Sequence, residues 1–353
     1  MVSLAERIAK ASTNPHAHVA TEDKVKIRDW IDTGNVALNC QLSSNPYKGI
    51  ASGRIYQFAG PESVGKTYLT VEVINQAQLE GYTVLYYDAE GTQTKDSLRK
   101  RGLETDNVVL SPISTVKALQ TDFLNMLDEV SKSDKLIVCI DSIGMLASLK
   151  EVADAKAGND KADMTAAKEL RSFFRTITVP CQMAQVPVLA VNHTYENIMN
   201  MYGGPIVAKG GGSKYAASVT LILSKAQVKD KDGNIVGALI TSKADKNRMA
   251  REKSKIKFEI NYHKGLNRWS GLFDICLEYG YILSPKQGWY HVEGNEDHKF
   301  RRKDTELNEE FWLELMENGL ADQLKLYFAY QAHTDGVIDE DGFDDEVVDL
   351  DKE

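Results

Sequence analysis

The segment Gly60-Pro61-Glu62-Ser63-Val64-Gly65-Lys66-Thr67 spells G-x-x-x-x-G-K-T, and no other feature constrains the fold as tightly. The pattern needs a strand before it and a helix after it. Its glycines turn successive backbone N–H groups inward, and the first turn of the helix adds a partial positive charge. Both flanks are present: residues 54–58 form a short apolar run, and a helical pattern covers 66–80. A strand, a loop and a helix in that order belong to a sheet with helices packed on it, so the chain reads as α/β. In such a loop Lys66 reaches the β- and γ-phosphates of a nucleoside triphosphate and the Thr67 hydroxyl ligates Mg²⁺. Tyr68 follows in the same nucleotide-binding stretch.

Four further runs, 83–87, 136–140, 186–191 and 218–223, are short, apolar on both faces and closed by polar or glycine residues. Buried parallel strands have that character. Helical stretches such as 115–130 lie between them, and a hairpin follows, 226–229 with 235–241, turning at Asp232-Gly233. The expected organisation is an arm over 1–30, a core with a mainly parallel sheet over 31–268, a small C-terminal domain over 269–332 and an acidic tail over 333–353. A chain of 353 residues is long enough for one large and one small domain.

The formal net charge of −9 argues against a polyanionic partner until its distribution is considered. Between Asp335 and Glu353 ten acidic residues face one lysine, a net of −9 that leaves the rest of the chain neutral. A segment so acidic and so poor in apolar anchors is expected to be disordered; it can mimic a polyanion, or serve only solubility. No stretch approaches the roughly 20 apolar residues of a membrane helix, and the N-terminus lacks a secretion signal. Cys40, Cys139, Cys181 and Cys276 are far apart and form no CxxC pair, so neither a zinc site nor a disulfide framework is expected. A reducing, cytoplasmic setting with no membrane partner fits.

Three strand ends turn a nucleotide site into a hydrolytic one. Leu136-Ile137-Val138-Cys139-Ile140-Asp141 is apolar and ends in Asp141, which would hold the metal through water at the carboxyl edge of the sheet. Tyr87-Asp88-Ala89-Glu90-Gly91 offers a carboxylate to orient the attacking water, with Glu90 preferred over Asp88, whose alternative role is a turn or cap. Asn192-His193 closes another strand, where a polar pair can sense the γ-phosphate; a lone strand-end histidine more often only satisfies a structural hydrogen bond, and the loop that follows shifts the balance.

Two loops follow these strands. Residues 194–213 show no helical or strand period, and loops of that length are usually functional or disordered. Tyr195 and Tyr202 suit contact with bases, Ile198 and Met199 could wedge between them, and Lys209 with Gly210, Gly211 and Gly212 could approach phosphates. Residues 150–163 look irregular and lead into a helix on which Lys168, Arg171 and Arg175 recur at one face. A basic stripe is often only a solvated face; two loops beside it favour DNA.

Taken together these segments resemble the RecA-type recombinases: Thr33-Gly34 with Gly53-Arg54-Ile55, the phosphate loop, Asp88-Ala89-Glu90, Asp141-Ser142, Gly210-Gly211-Gly212 and Lys246-Asn247-Arg248. Asn192-His193-Thr194-Tyr195-Glu196, Arg251-Glu252-Lys253-Ser254-Lys255, Trp269-Ser270-Gly271-Leu272-Phe273-Asp274 and Lys286-Gln287-Gly288-Trp289-Tyr290 resemble the UvsX-type recombinases of T-even-like bacteriophages. The likeness covers roughly residues 30–330. It implies a RecA-like core, a helical filament on single-stranded DNA, pairing with homologous duplex DNA, and ATP with Mg²⁺ held between subunits. Lys246 and Arg248 would then reach the neighbour's γ-phosphate, as arginine fingers do, and the two loops would bind DNA. A phage single-strand-binding protein and a loading mediator are the implied partners, and a bacterial host's cytoplasm the implied location. His193 stands where bacterial RecA has glutamine. The segment Gly91-Thr92-Gln93-Thr94-Lys95 lacks the bacterial adenine-contact pattern, so no base-specific residues are assigned. Two other readings remain: a ring helicase on the same core, which normally carries a larger N-terminal domain, and a non-catalytic ATP-clamped filament or mediator, against which Glu90 speaks.

Overall fold

The computed structural model describes residues 2–22, 26–131, 133–159, 165–195, 206–207, 212–305 and 307–330. The arm carries helix α1 (Leu4–Ala11), opened by a capping box in which Ser3 and Glu6 satisfy each other's backbone N–H groups. Next come β1 (Trp30–Ile31), α2 (Val36–Ser43) and β2 (Ile50–Ala51). The core then alternates as expected: β3 (Ile55–Gly60), α3 (Lys66–Leu79), β4 (Thr83–Asp88), α4 (Lys95–Lys100), β5 (Val108–Pro112), α5 (Val116–Glu129) and β6 (Leu136–Asp141). It continues through α6 (Leu149–Lys156), α7 (Thr165–Ala184), β7 (Val188–Tyr195), β8 (Ile206–Val207), α8 (Gly212–Ala216), β9 (Val219–Lys229), β10 (Ile235–Asn247), β11 (Lys255–Asn261) and β12 (Gly265–Leu266).

These strands form a ten-stranded sheet of order β12-β11-β10-β9-β3-β7-β6-β4-β5, with β8 paired to β7. From β9 to β5 every neighbour is parallel, whereas β9 through β12 is antiparallel. Parallel strands need both faces covered. One face packs against α2 and α3, with Leu38, Leu69 and Ile74 beside Tyr56 and Phe58. The other packs against α5 and α7, where Phe123, Phe173 and Phe174 stack edge to face over Val138 and Ile140.

After the core come α9 (Leu272–Glu278), β13 (Ile282–Lys286), β14 (Trp289–Val292), β15 (Asn295–Phe300), α10 (Glu309–Leu315) and α11 (Ala321–Tyr327). The three strands make their own antiparallel sheet. Phe273, Ile275, Trp312 and Leu315 join the same apolar cluster as α2, and Trp269 stacks on Trp312 at 6.3 Å. Gly271 is a requirement of this join: its φ is +88°, and a Cβ there would strike the Lys257 carbonyl oxygen.

Three expectations need correction. The stretch 150–163 is not irregular in its first half, because α6 begins at Leu149 behind a capping box in which Glu151 N donates to Ser148 Oγ at 2.9 Å. The loop 194–213 is not strand-free: β7 runs to Tyr195, and Thr194 and Tyr195 pair with Val207 and Ile206 of β8. The runs 218–223 and 226–229 are one strand, β9, whose hairpin partner β10 extends to Asn247. The edge strand β5 was not anticipated. Among the described residues no helix is long and apolar enough to cross a membrane.

Candidate active site

Four strands bring their carboxyl ends to one edge of the sheet. Gly60 of β3 lies opposite His193 of β7, and Asp88 of β4 opposite Asp141 of β6. Ligands of open parallel sheets bind in the crevice beyond such strand ends.

The phosphate loop fills that crevice. Pro61, Glu62 and Ser63 are exposed, while Val64 anchors the loop in the core. Ser63 and Gly65 both take left-handed backbone, φ 58° and 98°. At Gly60 a Cβ would press on the Leu223 carbonyl oxygen, so the strand approaches β9 too closely for any other residue. Lys66 folds back under the loop, its Nζ donating to the Gly60 and Pro61 carbonyls at 3.0 and 2.7 Å. Burial lowers the pKa of this ammonium, while Glu90, Asp141 and Glu62 pull it back up. Tyr68, expected with the nucleotide-binding stretch, turns its hydroxyl to Glu72 and lies beside Gly265 of β12, on the flank of α3.

Asp141 takes two hydroxyl donors on one oxygen, Thr67 Oγ1 at 2.8 Å and Tyr86 at 2.7 Å, both to Oδ2. Its other oxygen, Oδ1, is buried without a hydrogen-bond partner. Burial raises this carboxyl's pKa, opposed by the two hydroxyls. A buried carboxylate with an unpaired oxygen beside a threonine hydroxyl fits a hydrated Mg²⁺, whose charge would offset the desolvation.

Asp88 and Glu90 take different places. Asp88 closes the turn, its carboxylate accepting from the backbone N–H groups of Glu90, Gly91 and Gln93 at 3.2, 2.9 and 2.8 Å. That turn leaves the Glu90 carboxylate free of backbone duty, and its Oε1 lies 3.1 Å from His193 Nε2. One chemical unit thus joins the carboxylate that can hold water to the strand that leads into β8.

Lys246 and Arg248 are elsewhere. Lys246 pairs with Thr220, which pairs with Gln57, three residues short of Gly60 and two strands away. At about 3.3 Å per residue that is about 10 Å below the strand end, with another ~10 Å sideways. Because β10 runs antiparallel, residues 246–248 leave the sheet where β3 begins, so they do not reach their own phosphate loop. The Lys246 ammonium donates to the Lys214 and Tyr215 carbonyls of α8 at 2.7 and 2.8 Å, and Arg248 is exposed.

Among the residues expected to meet DNA, Lys168, Arg171 and Arg175 are exposed together on α7, whose other face buries Leu170, Phe173, Phe174 and Ile177. Tyr195 is 63% exposed at the end of β7. Gly212 is corrected: it is buried at the start of α8, where a Cβ would come within 3.0 Å of Arg171 Cα, so its role is close packing on α7. Ile198, Tyr202, Lys209, Gly210 and Gly211 lie outside the described residues. Sequence reasoning missed Tyr86, because a tyrosine inside an apolar strand gives no sign of what its hydroxyl meets.

A doubly covered parallel sheet with this loop at its carboxyl edge defines a nucleotide-binding protein of the P-loop class. Residues 6–267 match the RecA N-terminal domain family, and residues 269–320 match the C-terminal domain of the bacteriophage T4 recombination and repair protein. The chain is 32% identical over 324 residues to the recombination and repair protein of Enterobacteria phage T4, covering 88% of this chain and 82% of that one. It is 30% identical to protein RecA of Streptomyces venezuelae, over 78% of this chain and 70% of that one. With protein RecA of Zymomonas mobilis it shares 29% identity over 82% of each chain. The chain therefore belongs to the RecA family of recombinases, with a C-terminal unit of the phage T4 kind. Members of that family are DNA-dependent ATPases that act on single-stranded and duplex DNA and form filaments.

Proposed function

We propose that this chain is an ATP-dependent recombinase that assembles as a helical filament on single-stranded DNA and exchanges strands with homologous duplex DNA in phage recombination, repair and recombination-dependent replication. The observation that carries this reading is the separation of the phosphate loop from Lys246 and Arg248, which lie at the other end of β3. Cations that cannot reach the loop from within one chain can complete the site of a second copy, and a head-to-tail contact of that kind propagates into a filament wherever its rotation does not close into a ring.

In this reading the loop N–H groups and Lys66 hold the triphosphate, and Thr67 with Asp141 holds Mg²⁺. A cation held by these two residues would supply neutralisation of phosphate charge. Glu90 orients the attacking water, His193 keeps the Glu90 carboxylate in place and senses the γ-phosphate, and the neighbour's Lys246 and Arg248 stabilise the charge that develops on the transferred group. Lys168, Arg171, Arg175 and Tyr195, with the segment between β7 and α8, bind the DNA. The host cytoplasm, a phage single-strand-binding protein and a loading mediator complete the setting.

Phosphate release with and without single-stranded DNA, alongside a strand-exchange assay, tests the proposal. DNA should stimulate hydrolysis, and Glu90→Gln should reduce it by about a hundredfold or more while leaving ATP binding intact, as loss of a positioned base does. Stimulated hydrolysis that survives Glu90→Gln would sink the catalytic assignment, and hydrolysis without strand exchange would sink the recombinase reading.

A further inference from the structure

Tyr86 lies inside β4, an apolar strand covered on both faces, where phenylalanine would fill the same space. Its side chain is 0% exposed. A buried phenol needs a hydrogen-bond partner; this one donates to Asp141 Oδ2 at 2.7 Å, with the Cys139 thiol also beside it. The sheet register makes this reach possible. Tyr86 stands opposite Cys139 and Asp88 opposite Asp141, so a long side chain two residues before the strand end spans the diagonal to the tip of the next strand.

Two donors meet on that one oxygen, the Thr67 hydroxyl at 2.8 Å being the other, while Oδ1 has none. Hydroxyls on a single oxygen set the rotation of the carboxyl group and leave the second oxygen available. Thr67 is itself expected at the metal, which makes Tyr86 the donor to Oδ2 that is not a ligand. Partners behind a carboxylate that ligates a metal directly govern affinity by about 10- to 100-fold; because Asp141 acts through water, the lower end of that range applies.

We infer that Tyr86 is a positioning residue for metal-dependent nucleotide binding: its hydroxyl fixes the Asp141 carboxylate so that Oδ1 is presented to the hydrated cation. The inference rests on the proposed role of Asp141 as the carboxylate that holds Mg²⁺. Tyr87 supplies a matched control, because it is equally buried in the same strand and its hydroxyl donates at 2.8 Å to Asp122, away from the site.

The experiment is equilibrium binding of a non-hydrolysable ATP analogue to the full-length protein, titrated with Mg²⁺ and repeated in excess chelator, for wild type, Tyr86→Phe, Tyr87→Phe and Asp141→Asn. Thermal unfolding of each variant without nucleotide is recorded alongside. Tyr86→Phe should raise the Mg²⁺ concentration at half-saturation by about tenfold, leave binding in chelator unchanged, and melt close to wild type. Tyr87→Phe should leave the Mg²⁺ requirement where it is. The inference is overturned if Tyr86→Phe has the wild-type Mg²⁺ requirement, if it weakens binding equally in chelator, or if Tyr87→Phe shifts the requirement as much. An Asp141→Asn variant with an unaltered Mg²⁺ response would instead remove the reading of Asp141 itself. A strong Asp141→Asn effect beside a silent Tyr86→Phe would remove the tyrosine alone.

Discussion

Lys246 sits among charges of its own sign. Burial, then Arg248 and Lys214, bring its pKa down to about 8, with Glu252 pulling the other way. Lys214 is paired with Asp245 at 2.5 Å, which blunts its share. Below about 8 the ammonium is charged and can stabilise a neighbour's triphosphate; above it the amine is neutral and cannot. ATP-dependent assembly, followed by light scattering, should therefore fall as pH rises through about 8. Filaments assembled beforehand should hold their turnover to higher pH, because a triphosphate beside the amine favours its protonated form. Arg248→Gln removes the second cause of the depression, so the alkaline fall should move upward even if assembly is weaker throughout. A fall that stays in place would mean that Arg248 does not act on Lys246 through charge.

At the scale of elements, α7 and α8 act together, since Gly212 lies against the backbone of Arg171. The end of the segment between β7 and α8 is thereby tied to the helix that displays Lys168, Arg171 and Arg175. Replacing each of these with alanine should weaken single-stranded DNA binding for all sequences alike. The slope of log affinity against log salt should shrink by about 0.7 for each phosphate that is no longer neutralised. An unchanged slope would leave the stripe as a solvated face. For α6, Ser148→Ala removes a cap worth about 1 kcal/mol, and faster amide exchange confined to that helix should show it.

These elements also show what the residues disclosed in advance. The inner parallel strands were readable because each is apolar on both faces, whereas the parallel edge strand β5 is half exposed and was not; the phosphate loop was readable because glycine, lysine and threonine at fixed spacing have few other uses. The helix α6 was readable too, from Ser148 and Glu151 three apart, but the glycine and charges after it suggested a loop. The continuity of β9 was hidden because Ser224 and Lys225 look like a break, and β-pairing with β10 decides otherwise. The bond from Tyr86 to Asp141 depends on register between strands distant in sequence, which no local pattern carries. Gly212 looked like part of a flexible run and is held by a helix contact that only the tertiary structure contains.

For the whole molecule, the decisive feature is that the two halves of the proposed site belong to opposite ends of β3. Glu90→Gln and Lys246→Ala should each abolish DNA-stimulated hydrolysis alone. Mixed in equal amounts and assembled together, they should recover about a quarter of wild-type activity, since random neighbours place an intact Glu90 against an intact Lys246 at about one interface in four. No recovery on mixing would mean that both residues serve the same chain's nucleotide. Removing the residues after His333 should tighten duplex binding if the acidic tail competes with DNA; unchanged binding would leave it a solubilising role.

Placing the loop and the cations proposed to complete it at different ends also gives any assembly a direction. A filament built this way has one terminus that displays unused Lys246 and Arg248 and another that holds a nucleotide with no neighbour to finish its site. Such a chain of subunits has one fewer complete site than it has members, so short pieces turn over less ATP per subunit than long ones. The unfinished terminus keeps its triphosphate longest, and keeping it leaves that terminus competent to receive the next subunit. Growth and decay would then belong to different tips.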